Sequence, residues 1–175
     1  MERLHADDVG ASRAVNASVA RLLRARLLAG VSVLANGPAT DEALELLAGH
    51  PEVTVHVHVN LTEGQPLTAS AGLAPLLSAH GTFIGYGRLV AQLVRGRGDR
   101  HAIATEVDAQ VDRIAGSGIP VAGLDTHHHV HALAPVGDSL AAVAVHRGLR
   151  IPRRYAVVRT HTLRGAGRRA ALASP

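Results

Sequence analysis

The chain has 175 residues, 47% of them hydrophobic, which specifies one folded domain with a real core and excludes a disordered chain. Aromatics make up only 2%, so the core must be built from Ala, Val and Leu, and platforms that stack bases or sugars on several exposed rings are disfavoured. The net charge of +4 is gathered at one end: eight arginines lie from Arg147 to Arg169, and no Asp or Glu follows Asp138.

That basic end reads first as a solvated segment, so no nucleic-acid partner is expected. There are no cysteines, which excludes disulfides, thiolate zinc sites and cysteine nucleophiles; any metal must be held by His, Asp or Glu. The opening MERLHADDVG has no apolar signal core, and no apolar run approaches the ~18 residues of a spanning helix. A cytoplasmic protein with no membrane partner is the expectation.

Taken in chain order, residues 13–28 mix apolar and Arg positions at helical spacing, with Ser12 as N-cap and Gly30 as stop. VSVLA (31–35) is β-branched and runs into Asn36-Gly37-Pro38, which predicts a strand and a turn. TDEALELLAG (40–49) predicts a helix capped by Thr40 with acidic residues in its first turn. VTVHVHVN (53–60) alternates strictly, with Val53, Val55, Val57 and Val59 on one face and Thr54, His56, His58 and Asn60 on the other. The reading is a strand that buries its valines against helices and points a polar row the opposite way.

LTEGQPLT follows as a loop. A short helix is predicted over 72–80, then a Gly- and Arg-containing stretch over 81–100. A longer helix over 101–116 carries Ile103, Val107, Val111 and Ile114 along one stripe. Glu106 and Gln110, one turn apart on it, read as a solvated or packing face. VAGLD (121–125) is a strand whose last residue, Asp125, opens a histidine loop; a helix over 136–147 and a strand over 155–159 complete the pattern. Strands alternating with helices predict a parallel sheet or α/β barrel. A full eight-fold barrel takes ~250 residues, so the expected fold is an incomplete or truncated β/α barrel of the TIM type. One domain over 1–160 with a basic, flexible tail over 161–175 is the expected organisation.

Sites in parallel α/β folds gather at the C-terminal ends of strands. Three such ends carry metal-type donors: His5-Ala6-Asp7-Asp8; His56 and His58; and Asp125 with His127, His128, His129 and His131. Two imidazoles and a carboxylate leave open positions on a divalent cation, which acidifies bound water and polarises a carbonyl. Adjacent Asp7 and Asp8 suit a division of labour, one ligating and one taking the water's proton. Other readings are open: His58 as a hydrogen-bonded interior histidine, His128 facing solvent or core, Asp125 orienting its loop through backbone amides, and Thr62-Glu63-Gly64 as a plain turn.

The segments ADDVGAS (6–12), HVNLTEGQPLT (58–68) and DTHHHVHALAP (125–135) resemble, in order and separation, the three signature blocks of the YdjC-like carbohydrate deacetylases, a family that includes chitooligosaccharide deacetylases. Asn16, Asn36 and the helix EVDAQVDRI (106–114) also fit, and the resemblance runs to about residue 150. It implies a β/α barrel-like fold, a divalent metal (Mg2+ or Zn2+) and removal of acetyl groups from N-acetylated amino sugars or chitooligosaccharides. It further implies Asp8, His58 and His127 as ligands and Asp7 as general base. His129 and His131, with Asp125 and Thr62, would lie in the second shell or against substrate, and a homodimer is possible by the same resemblance.

Three departures stand out. His5 occupies a position where the family has Asn, and His56 one where it has a small residue. The apolar strand expected before Asp7 and Asp8 is reduced to a few residues. A late histidine block is not found, and His161, followed by Thr162 and Leu163, does not replace it clearly. The alternative expectation is therefore a catalytically impaired remnant that keeps metal and sugar binding.

Overall fold

The computed structural model describes residues 4–151. The valine alternation becomes the middle of a four-stranded parallel sheet in the order β1 (Leu4–Val9), β2 (Leu28–Val33), β3 (Thr54–Val59) and β4 (Val121–Thr126). Each crossover passes through helix: α1 (Arg13–Arg24), α2 (Thr40–Ala48), then α3 (Tyr86–Val94) and α4 (Arg100–Ala115), with α5 (Ala134–Arg147) after the last strand. Residue 150 starts a further parallel pairing beside Gly123 of β4. The described residues thus form an α/β fold with an open sheet in sequential order, and among them no closed barrel forms. The expected strand at 155–159 and the expected tail at 161–175 lie outside them.

One sheet face carries Val31, Val33, Val55, Val57, Val59 and Leu124, all buried, and packs with Ile103, Val107, Val111 and Ile114 of α4. Full burial of such side chains stabilises by about 1.5–3 kcal/mol each. The opposite face carries the polar row, but it is not wet. His56 and His58 are 8% and 3% exposed, so both faces of β3 are covered.

Several boundaries differ from the sequence expectation, each for a local reason. Ser12 does cap α1, accepting from the Val15 amide at 3.2 Å. The helix stops at Arg24 rather than 28, because Arg26 turns left-handed (φ 56°) and the chain reverses so that Leu28 begins β2. Gly30 is therefore a strand residue, not a helix stop. Thr40 does not cap α2; its hydroxyl donates to the carbonyls of Leu34 and Gly37, tying the Asn-Gly-Pro turn to the helix start. The segment expected as a helix over 72–80 is a 3-10 turn over Ala71–Leu76 containing Pro75, closed by an antiparallel bridge from Leu77 to Phe83. The Gly- and Arg-containing stretch holds an unexpected helix, α3, which buries Leu89 and Leu93 after a left-handed Gly85. Helix α5 starts two residues early because Pro135 sits in its first turn, where its missing N–H is harmless. The strand that carries Asp7 and Asp8, β1, is six residues long, as long as β2, β3 and β4, with both aspartates inside it and Leu4, His5 and Ala6 before them.

Candidate metal centre

In a flat strand, Asp7 and Asp8 would point to opposite faces. The register with β2 slips between Ala6 and Val9, and Asp8 adopts φ 62°. Asx side chains tolerate this left-handed region better than most residues. The result is that both carboxylates reach His58. Oxygens of Asp7 lie within 4.8 Å of donor atoms of His58 and Asp125, and an oxygen of Asp8 lies within 4.8 Å of nitrogens of His58 and His127.

His58 is the hub. Its Nδ1 meets Asp125 Oδ1 at 2.6 Å, with both side chains buried, and its Nε2 faces Asp8 Oδ1 at 3.2 Å. His58 and Asp125 are direct register partners on β3 and β4, so the pairing is built into the sheet. Asp125 therefore orients an imidazole. Its other oxygen, Oδ2, accepts from the Ser32 hydroxyl of β2 at 2.7 Å. The third donor enters from the turn after β4, where His127 Nδ1 meets Asp8 Oδ1 at 2.7 Å. Burial holds the His127 imidazole below its ordinary pKa, against the opposing pull of the Asp8 carboxylate.

The turn over His127–Ala132 is tight because His128 and His129 both take left-handed backbone (φ 55° and 53°). Left-handed backbone costs roughly 1–2 kcal/mol per non-glycine residue. Stored strain of this kind concentrates where structure is held for function. His128 is exposed; its Nδ1 lies 3.0 Å from the Thr62 hydroxyl, and its ring packs against His127 and Tyr86. His131 is buried and pairs through Nδ1 with the Thr126 hydroxyl, while His129 is exposed with its ring against that of His131. Neither belongs to the Asp8 donor cluster. Thr62 is buried and donates to Asn60 Oδ1, so it shapes the loop more than it presents itself to solvent.

Four side chains support the donor set from outside it. Ser32 bridges β1 and β4 beneath the site, its hydroxyl donating to Asp125 and lying 2.8 Å from His5 Nε2. Glu63 brings a carboxylate to 3.9 Å from His127 Nε2. Of the two readings for Glu106 and Gln110 the packing face holds: both are fully buried and hold the loop that carries Thr62 and Glu63. Gln110 exchanges two hydrogen bonds with the backbone of Asn60, and Glu106 accepts from the amides of Leu67 and Thr68 and the Thr68 hydroxyl. Their i, i+4 spacing on one helix face was visible; their burial was not. Asn16 and Asn36, which fit the family pattern, also act on loops: Asn16 accepts from the Gly10 amide after the aspartates, and Asn36 donates to the carbonyls of Glu63 and Gln65.

Among the described residues no helix is long and apolar enough to cross a membrane. The chain is 36% identical over 166 residues to a chitooligosaccharide deacetylase of Klebsiella pneumoniae (strain 342), a match covering 89% of this chain and 62% of that one. It is 33% identical over 141 residues to a carbohydrate deacetylase of Geobacillus stearothermophilus, covering 79% of this chain and 54% of that one. The chain thus spans a little over half the length of the curated relatives it matches. Its fold is shared with a crystal structure from Enterococcus faecalis V583, described as a candidate cellobiose-phosphate cleavage protein. The TM-score is 0.74 at 22% identity, over 84% of this chain and 56% of that one. The model of the family described as "YdjC-like protein" matches residues 3–174, and with the relatives and the three motif blocks this shows that the chain belongs to that family.

Proposed function

We propose that this chain is a metal-dependent hydrolase that removes acetyl groups from N-acetylated amino sugars or their oligosaccharides. The observation that carries the proposal is the convergence of Asp8, His58 and His127, from three separate strand ends, with Asp125 behind His58. The names of the relatives supply the substrate class.

The donor set fits a divalent cation. With its proton on Nδ1 toward Asp125, His58 aims the Nε2 lone pair at Asp8 Oδ1 3.2 Å away. Two acceptors then face each other, an arrangement that a cation between them stabilises. Ligands of a tetrahedral zinc stand about 3.3 Å apart, given Zn–N and Zn–O distances near 2.1 Å, so small side-chain shifts suffice. The carboxylate on the far ring nitrogen is the support that ligating histidines commonly have. Mg2+ takes oxygen donors by preference, so two imidazoles favour Zn2+ or another transition ion.

When bound, the ion supplies Lewis acidity toward the acetyl carbonyl and acidifies a bound water. Asp8, His58 and His127 would hold it, and the lowered pKa of His127 keeps that ring neutral and ready to ligate near pH 7. Asp7, half-buried and within reach of His58, would take the proton of the attacking water on its carboxylate. The acyl carbon gains the hydroxide, the proton held on Asp7 passes to the leaving nitrogen, the C–N bond breaks, and acetate and a free amine leave. His128 and His129 are exposed on the turn that carries His127, where the sugar would lie. The sequential strand order and the pairing begun at Arg150 support reading the sheet as a segment of a β/α barrel.

The test is acetate release from N,N′-diacetylchitobiose by purified protein, with divalent metals and with chelator, beside Asp7→Asn and His127→Ala. Release that chelator abolishes and both variants lose is the expected result. A folded protein that binds metal at Asp8, His58 and His127 yet releases no acetate would refute the enzyme and leave the impaired reading.

A further inference from the structure

The polar face of the sheet continues below the Asp8 cluster toward the N-terminal ends of the strands. There His5 of β1 and His56 of β3 lie side by side across β2, ring centroids 5.2 Å apart and tilted by 35°. One nitrogen from each ring and one carboxylate oxygen of Asp125 all lie within 4.8 Å of one another. The Ser32 hydroxyl sits among them, 2.8 Å from His5 Nε2 and 2.7 Å from Asp125 Oδ2. His56 and Asp125 are buried, and the His5 side chain is 29% exposed.

A glycine on the same face makes the space: a Cβ at Gly30 would fall 2.7 Å from His5 Nδ1. The strands that carry the three donors, β1, β3 and β4, belong to one parallel sheet with β2 between β1 and β3, so the donors are held on rigid elements.

We propose that His5, His56 and Asp125 form a second site, for a divalent transition-metal ion, separate from the Asp8, His58 and His127 cluster. Two imidazoles and a carboxylate select Zn2+, Co2+, Ni2+ or Cu2+ over Mg2+ or Ca2+. Asp125 links the two sites, because Oδ1 holds His58 while Oδ2 faces Ser32 and the second site. The competing account is a row of hydrogen bonds running from His5 through Ser32 and Asp125 to His58 with no ion in it.

The test is metal stoichiometry. The full chain is stripped with chelator, loaded with Zn2+ or Co2+, passed through gel filtration and assayed for metal per chain, with affinities from competition against a chromophoric chelator. Two ions per chain are expected. His5→Asn should lose one, or bind it at least tenfold more weakly, and His127→Ala should lose the other. His5→Asn shortens a partly exposed side chain, so circular dichroism is expected to be unchanged; His56→Gln gives the same loss from the buried partner. A single ion that His127→Ala loses and His5→Asn keeps would overturn the second site while leaving the first intact. Two ions retained in both His5→Asn and His56→Gln would overturn it equally. A folded chain that binds no ion would overturn both sites.

Discussion

Replacing Glu106 with Gln changes one oxygen for one NH2 at constant shape, in a site with no access to solvent. The carboxylate accepts four hydrogen bonds: Oε1 from the Leu67 amide (3.0 Å) and Gln110 Nε2 (2.8 Å), Oε2 from the Thr68 amide (2.9 Å) and the Thr68 hydroxyl (2.8 Å). Every partner is a donor, so the new NH2 must face two donors whichever way the amide turns. The less costly orientation places it against Thr68, whose hydroxyl can rotate and accept. The part-buried Thr68 amide is then left without this acceptor, which costs up to about 1–3 kcal/mol, and the two bonds that remain lose their charge assistance. The expected destabilisation is about 2–4 kcal/mol. For a chain of this size that lowers the melting temperature by about 5–15 °C. Thermal unfolding by circular dichroism, with and without Thr68→Val, measures it; the two changes should be non-additive because they share a hydrogen bond. Acetate release should fall too, since the anchored loop carries Thr62 and Glu63 beside His127 and His128. A shift of under ~2 °C, or strict additivity with Thr68→Val, would show that Glu106 does not anchor this loop.

Three further outcomes follow from the structure. The folded state holds the His127 pKa below its ordinary value of 6.5, chiefly through burial, so the unfolded chain takes up the proton first as pH falls. In chelator, stability should therefore drop once the pH goes below about 6.5, and His127→Asn should flatten that fall; equal urea-unfolding slopes from pH 7.5 to 5.5 in both proteins would contradict it. Arg147 ties α5 to α4 by meeting Asp108 and Asp112 at 2.8 Å each, and the Asp108 carboxyl is held below its usual range chiefly by that hydrogen bond. These charges are partly exposed, so Arg147→Met should lower stability by only about 0.5–1 kcal/mol, and by less in 1 M salt. The Asp108 share of this should vanish in acid, as pH falls through its lowered pKa, and equal losses at neutral pH and in strong acid would refute the pairing. Gly30→Ala should push the His5 ring off Ser32 and weaken the second metal site while sparing the first; unchanged stoichiometry and affinity would refute the packing argument.

What could be read from the sequence was whatever local periodicity or strand-end placement controls. The alternation over 53–60 fixed which side chains share a face of β3, and the three motif blocks named the side chains that meet at His58. Alternation reports a face, however, not what covers it, and the burial of the histidine row is decided by elements outside that strand. The apolar stripe of the first helix ran on through Leu27 and Leu28 because helix and buried strand both accept leucine there; only the left-handed Arg26 separates them, and its conformation leaves no compositional trace. Glycine misled in the same way. Gly30 has the composition of a helix stop, yet it is a strand residue whose missing side chain admits the His5 ring. Long-range polar partners were the least legible of all. Ser32 serves the site through Asp125, 93 residues away, and Glu106 through amides 38 and 39 residues away. Donors at strand ends announce themselves because the chemistry demands particular residue types at particular places. The residues that hold those donors need only a hydroxyl, a carboxylate or an empty Cβ position at the right point in space, and many sequences supply one.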